Sequence, residues 1–137
     1  ARHLNDSMGS YVANQVVKAM NLKGVKVKDC SILIMGFSFK EKCSDTRNTK
    51  VYDIYETLSE YTSDITIYDP WVDREKVQKS YGLSVCNQLP ERSYDVAILA
   101  VAHPQFLDID YRKLVPQPGI IYDVKGILPR EIIDARL

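Results

Sequence analysis

The chain has 137 residues, 18 basic and 18 acidic side chains, and a formal net charge of zero. That balance argues against a general nucleic-acid or membrane-surface binder, which needs a basic excess, and the length suits one α/β domain with a real core. No apolar run approaches the roughly 20 residues of a membrane span, and the widely spaced Cys30, Cys43 and Cys86 form neither a disulfide framework nor a zinc-ligand pair.

Apolar residues at Leu4, Met8, Tyr11, Val12, Val16, Ala19 and Met20 recur at helical spacing and predict a helix over 3–22, closed by Asn21-Leu22-Lys23-Gly24. The chain begins without Met inside this pattern, which reads as a fragment of a longer protein. The stripe must bury against the domain behind it or against something outside the chain. The second case predicts self-association, two-fold by the usual symmetry.

Residues 30–35 predict a buried strand, and 49–61 a helix with Val51, Ile54, Tyr55 and Leu58 on one face. Ile65-Thr66-Ile67-Tyr68 predicts a second strand, stopped by Asp69-Pro70. A short charged helix over 73–81 ends at Gly82, and 83–85 is a minor strand. The most apolar segment, 94–101, predicts a central strand. His103-Pro104 opens a loop with a helical piece near 110–114, and 119–123 is a last strand. Continuous apolar strands alternating with helices predict a Rossmann-like parallel sheet covered by helices on both faces.

The loop after the first strand carries the strongest chemical signal. Gly36-Phe37-Ser38-Phe39-Lys40 follows the apolar run directly, and Lys40, Lys42, Arg47 and Lys50 crowd the residues before the next helix. A tight glycine, placed cations and a helix start form a phosphate-binding arrangement. The dinucleotide fingerprint Gly-x-Gly-x-x-Gly is missing, because only Gly36 is present. Lys40 can meet phosphate as a point charge and Arg47 as a bidentate fork. The competing reading is a solvated basic loop with Asp45 paired to Arg47, and the residues alone leave both open.

Asp69 stands where nucleotide folds place a ribose-binding carboxylate. The missing fingerprint favours the other role, shaping the turn before Pro70 and accepting backbone N–H groups. Trp71 reads as packing, His103 as a loop former or a secondary ligand contact, and Lys125 as a second cation at the same sheet edge. Cys43 in the basic loop has no paired base and reads as a bystander. No complete catalytic constellation or metal-ligand set is present.

Taken in order, Gly36-Phe37-Ser38-Phe39-Lys40, Asp45-x-Arg47, Ile67-Tyr68-Asp69-Pro70 and Tyr122-Asp123-Val124-Lys125-Gly126 resemble the C-terminal domain of the UDP-glucose/GDP-mannose dehydrogenase family. Arg2-His3-Leu4-Asn5-Asp6-Ser7-Met8 resembles the end of that family's central helix. The resemblance implies two parts: residues 1–23 as the end of the central interdomain and dimerisation helix, and 24–137 as the UDP-sugar-binding domain. It implies that Phe39, Lys40 and Lys125 contact the UDP-sugar and that Arg47 reaches NAD across a cleft. NAD itself would be bound mainly by an N-terminal domain outside this chain. The implied parent is a cytoplasmic, homodimeric, NAD-dependent oxidoreductase that turns a nucleotide-sugar C6 alcohol into a carboxylate for surface polysaccharide synthesis. Arg47-Asn48-Thr49-Lys50 and Asp123-Val124-Lys125-Gly126 look closest to the branch acting on UDP-N-acetylhexosamines. Lys125 stands where many members carry arginine, which keeps the charge and loses the fork. The family's catalytic cysteine, in a Gly-Gly-x-Cys setting, is not in this chain, so the fragment alone is expected to be inactive. The alternatives are the same domain of a UDP-glucose 6-dehydrogenase, or a free-standing nucleotide-binding or regulatory module.

Overall fold

The computed structural model describes residues 2–38 and 51–136, with side chains for 9–38 and 51–134. Phe39, Lys40, Cys43, Asp45 and Arg47, and the roles expected of them, lie outside the described residues. The elements are α1 (Arg2–Lys23), β1 (Ile32–Met35), α2 (Val51–Leu58), β2 (Ile65–Tyr68), α3 (Arg74–Tyr81), β3 (Val85–Cys86), β4 (Val96–Leu99), α4 (Tyr111–Leu114), β5 (Ile120–Asp123) and β6 (Ala135–Arg136). A 3₁₀ turn, Pro104–Asp108, joins β4 to α4.

All pairings are parallel, and the sheet order is β3-β2-β1-β4-β5-β6. This is the order of dinucleotide-binding sheets, in which the strand order reverses between β1 and β4. Alternation along each strand divides the core. Ile32, Ile34, Val96, Ile98, Ile120 and Tyr122 meet α1, α2 and α3 on one face. Leu33, Met35, Ala97, Leu99 and Ile121 meet Phe106, Tyr111, Leu114 and Leu128 on the other. Both faces are covered, which is why these strands read as unbroken apolar runs.

Local chemistry sets the ends. Asp73 accepts from the N–H groups of Glu75 and Lys76 at the start of α3, and Gly82 closes it in the left-handed region at φ 69°. Asp110 accepts from Lys113 N–H at the start of α4. The edge strand β6 is not predicted from the sequence, because two residues carry no period. It is held from outside the strand: Asp134 accepts the Ile121 N–H at 2.8 Å and meets Lys23 and Arg112.

The described part of the apolar stripe of α1 follows the first of the two expected cases. Val12, Ala13, Val16 and Met20 are fully buried within this domain, so this described part of the stripe packs against the domain behind it. Tyr11, assigned to that stripe, is half exposed, and Leu22 is exposed. The close α1–α2 contact depends on Gly9, where an added Cβ would stand 2.5 Å from Asp53 Cβ and 2.8 Å from its carbonyl carbon. Gly9→Ala improves helix propensity, yet it is expected to destabilise the domain by about 1–2 kcal/mol because backbone has to move. A urea midpoint equal to or above the wild type would contradict this.

Candidate functional site

The carboxyl ends of β1, β2, β4 and β5 share one edge, because all four strands are parallel. Ligands of open α/β sheets bind in the crevice outside those ends, where the strand order reverses. Gly36 sits at that point. Its N–H donates to Tyr68 O at 2.7 Å, its φ is 103°, and a Cβ there would lie 2.5 Å from Val101 Cβ. Only glycine fits the positive φ and the close approach of the β4 loop.

Asp69, at the end of β2, is fully buried. Its Oδ2 accepts from Phe37 N–H at 2.7 Å and Ser38 N–H at 3.0 Å, and lies 3.0 Å from His103 Nε2. Its Oδ1 accepts from Trp71 N–H at 2.8 Å. Burial pushes this carboxyl up, but the His103 hydrogen bond and the Phe37 and Trp71 amides more than offset it and hold it below the usual carboxylate range. Asp69 therefore takes the turn-shaping, amide-accepting role. It also ties together three loops, those after β1, β2 and β4. Asn87 adds to the β2 loop by donating to the carbonyls of Asp69 and Val72.

His103 is fully buried and takes the loop-forming role. Ser38 Oγ lies 3.0 Å from the same Nε2 that faces Asp69. A nucleophilic triad places serine and aspartate on opposite ring nitrogens. Here both share one nitrogen, in a site closed to substrate, so this Ser–His–Asp cluster is no hydrolytic centre. Trp71 stacks on His103 with ring centroids 6.0 Å apart and keeps 39% of its surface exposed. It packs as expected, at the rim of the edge.

Lys125 follows β5 on this same edge, and its side chain is exposed. Asp123, fully buried, accepts from the N–H groups of Lys125 at 3.0 Å, Gly126 at 2.7 Å and Leu128 at 2.8 Å. This carboxylate fixes the turn that carries the lysine. The sequence places Asp123 at a strand end and in the family motif, with no role as a turn cap. An Asp followed two positions later by a turn residue is the available signal for such a cap. Cys30 lies before β1 at the opposite edge, and burial, with Asp95 nearby, pushes its thiol up to about 11. It is therefore no nucleophile. A groove of about 750 Å³ opens beside Ser93 ahead of β4, and its mixed Glu91, Arg92, Asp110 and Lys113 lining has no preference for an anion.

Residues 33–130 match the sequence model of the UDP-glucose/GDP-mannose dehydrogenase family, UDP binding domain. The chain belongs to that family. It is 43% identical over 99% of its length to a UDP-N-acetyl-D-glucosamine 6-dehydrogenase of Salmonella typhi, and 42% identical over 99% to one of Pseudomonas aeruginosa. It spans about a third of each of those proteins (33%). Among solved structures it resembles an NDP-N-acetyl-D-galactosaminuronic acid dehydrogenase from Methanosarcina mazei, with a TM-score of 0.82 at 20% identity, covering 96% of this chain and 28% of that one. A UDP-D-ManNAc dehydrogenase from Pyrococcus horikoshii gives a TM-score of 0.76 at 21% identity, over 98% of this chain and 31% of that one. These likenesses agree on the fold.

Within this UDP-binding domain the residues do not fit a dinucleotide held in the usual way. The glycine fingerprint is reduced to Gly36, and the carboxylate that would meet a ribose is buried on amides and His103. Among the described residues no group of three His, Cys, Asp or Glu could hold a metal ion, and no helix is long and apolar enough to cross a membrane.

Proposed function

We propose that this chain is the UDP-sugar-binding part of an NAD-dependent UDP-N-acetylhexosamine 6-dehydrogenase, a cytoplasmic enzyme that makes uronic acids for surface polysaccharides. The observation that carries this reading is the 43% identity, across 99% of the chain, to a UDP-N-acetyl-D-glucosamine 6-dehydrogenase. The switch-point edge supports it: two buried aspartates hold the turns there, and Lys125 stands exposed on one of them.

In this reading Phe39, Lys40 and Lys125 bind the UDP-sugar, and Arg47 reaches NAD held by a separate domain. The chain's task is to bind and orient the diphosphate. Hydride transfer from C6 to NAD and the covalent chemistry of the family's cysteine belong to residues outside it, so the fragment alone turns over nothing.

The direction of α1 supports a two-part enzyme, residues 1–23 being the end of the connecting helix. Gly9 lies against Asp53 at the start of α2, while Val17 and Asn21 share a cavity with Glu60 and Tyr61 beyond its end. The two helices run in parallel, so α1 begins at the ligand edge. A domain joined ahead of it would face the bound sugar. The homodimer in this reading would use the outer face of α1, where Tyr11 and Leu22, eleven residues apart, share one side.

Calorimetric titration with UDP, UDP-N-acetylglucosamine and NAD⁺ tests the proposal. Both uridine nucleotides are expected to bind and NAD⁺ to bind little. Lys40→Ala is expected to weaken the uridine nucleotides by about tenfold, the scale of one charge-assisted phosphate contact. Absence of uridine nucleotide binding, or equal binding by the variant, would count against it.

A further inference from the structure

Among the described residues Ser38, Asp69 and His103 form a buried polar cluster that the proposed chemistry does not use. It bridges the point where the strand order reverses: Ser38 follows β1, Asp69 follows β2 and His103 follows β4. A carboxylate is an acceptor only, so Nε2 of His103 carries the proton in its contact with Asp69. One oxygen of Asp69 then faces that N–H together with the N–H groups of Phe37 and Ser38, at 2.7 to 3.0 Å. The two consecutive amides point at one atom, and that atom's place depends on the histidine.

The ring is held from more than one direction. Trp71 stacks on it at 6.0 Å, and Phe106 meets it edge-on at 5.4 Å. These neighbours flank the ring, which is fully buried. A side chain serving only to fill space between two aromatic rings would need no nitrogen against a carboxylate. The ring and the carboxylate together fix the direction in which the chain leaves β1, where the loop after Ser38 begins.

We propose that His103 is a positioning residue for the nucleotide edge, acting through Asp69 on the Phe37 and Ser38 backbone without touching ligand. This rests on the reading of that edge as the site for a uridine diphosphate. Groups held in advance cost less to order when a ligand arrives, so loss of the hold appears as weaker binding.

The test compares His103→Gln with His103→Asn in the 137-residue chain. Glutamine places an amide nitrogen near the position of Nε2, whereas asparagine places one near Nδ1 and falls short of Asp69. Amide hydrogen exchange is read at Phe37 and Ser38 against Ile34 and Ile98 in the sheet, and UDP affinity is read by calorimetry. In His103→Asn the exchange at Phe37 and Ser38 is expected to accelerate about tenfold more than at the sheet residues, with UDP affinity falling about tenfold. His103→Gln is expected to restore both to within about threefold of the wild type. If His103→Asn does not fold, His103→Leu, which fills space and offers no donor, takes its place. Unchanged relative exchange would overturn the proposal, and so would lost protection with wild-type UDP affinity. A wild-type chain that fails to bind UDP overturns the ligand reading instead, and the exchange pattern then decides by itself whether His103 positions Phe37 and Ser38.

Discussion

Gly36→Ala is expected to cost about 3–4 kcal/mol of folding stability. Two costs combine. Alanine at φ 103° is strained, and its Cβ would stand 2.5 Å from Val101 Cβ, 2.8 Å from Val101 Cγ2 and 2.9 Å from Val101 N. Trimming the neighbour does not rescue it, because Val101→Ala removes both methyl groups but relieves only the Cγ2 contact and leaves the Cβ and backbone contacts in place. Urea unfolding of Gly36→Ala and of the Gly36→Ala/Val101→Ala pair measures both claims. A single variant within about 1 kcal/mol of the wild type would show that β1 and the β4 loop do not need this close approach.

Asp69→Asn is expected to cost about 3 kcal/mol near neutral pH. Asparagine keeps the shape but offers one acceptor oxygen in place of two, and its amide hydrogens would face the N–H groups of Phe37, Ser38 or Trp71. The loss should depend on pH in a defined direction. The folded carboxyl is held below its ordinary value of 3.8. Its contribution is therefore complete above that value and fades as pH falls through the lower, folded value. The gap in urea midpoint between wild type and Asp69→Asn is expected to be constant from about pH 7 to 5 and to narrow below about pH 4. A gap that stays flat as the solution is acidified would show that the carboxylate is not stabilised by His103 and the amides.

The fold was largely legible because apolar periodicity is local. The stretches 30–35, 65–68, 94–101 and 119–123 all contain strands; β1, β4 and β5 are buried on both faces as their unbroken apolar runs required, and β2, broken by Thr66, is half-buried at its start. Asp73 and Gly82 mark the ends of α3 by chemistry that acts within a few residues. The family was legible for a related reason: the residues that mark it stand at the ends of those strands. Edge strand β6 was not legible, since Asp134 secures it through Ile121, Lys23 and Arg112, far away in sequence.

By itself, then, the sequence determined an α/β chain with parallel, doubly covered strands, a loop with one tight glycine and clustered cations, and membership of a nucleotide-sugar dehydrogenase family. Only the tertiary structure decided the strand order, the burial of the α1 stripe within this domain, and the direction in which α1 runs. It also decided what the polar residues at the ligand edge face. Asp69 could have met a ribose or backbone amides, and His103 a ligand or the core. The outcome depends on partners 31 to 34 residues away from Asp69 along the chain, brought together when β1, β2 and β4 align. A carboxylate's role follows from the donors around it, and packing places those donors beyond the range of any local pattern.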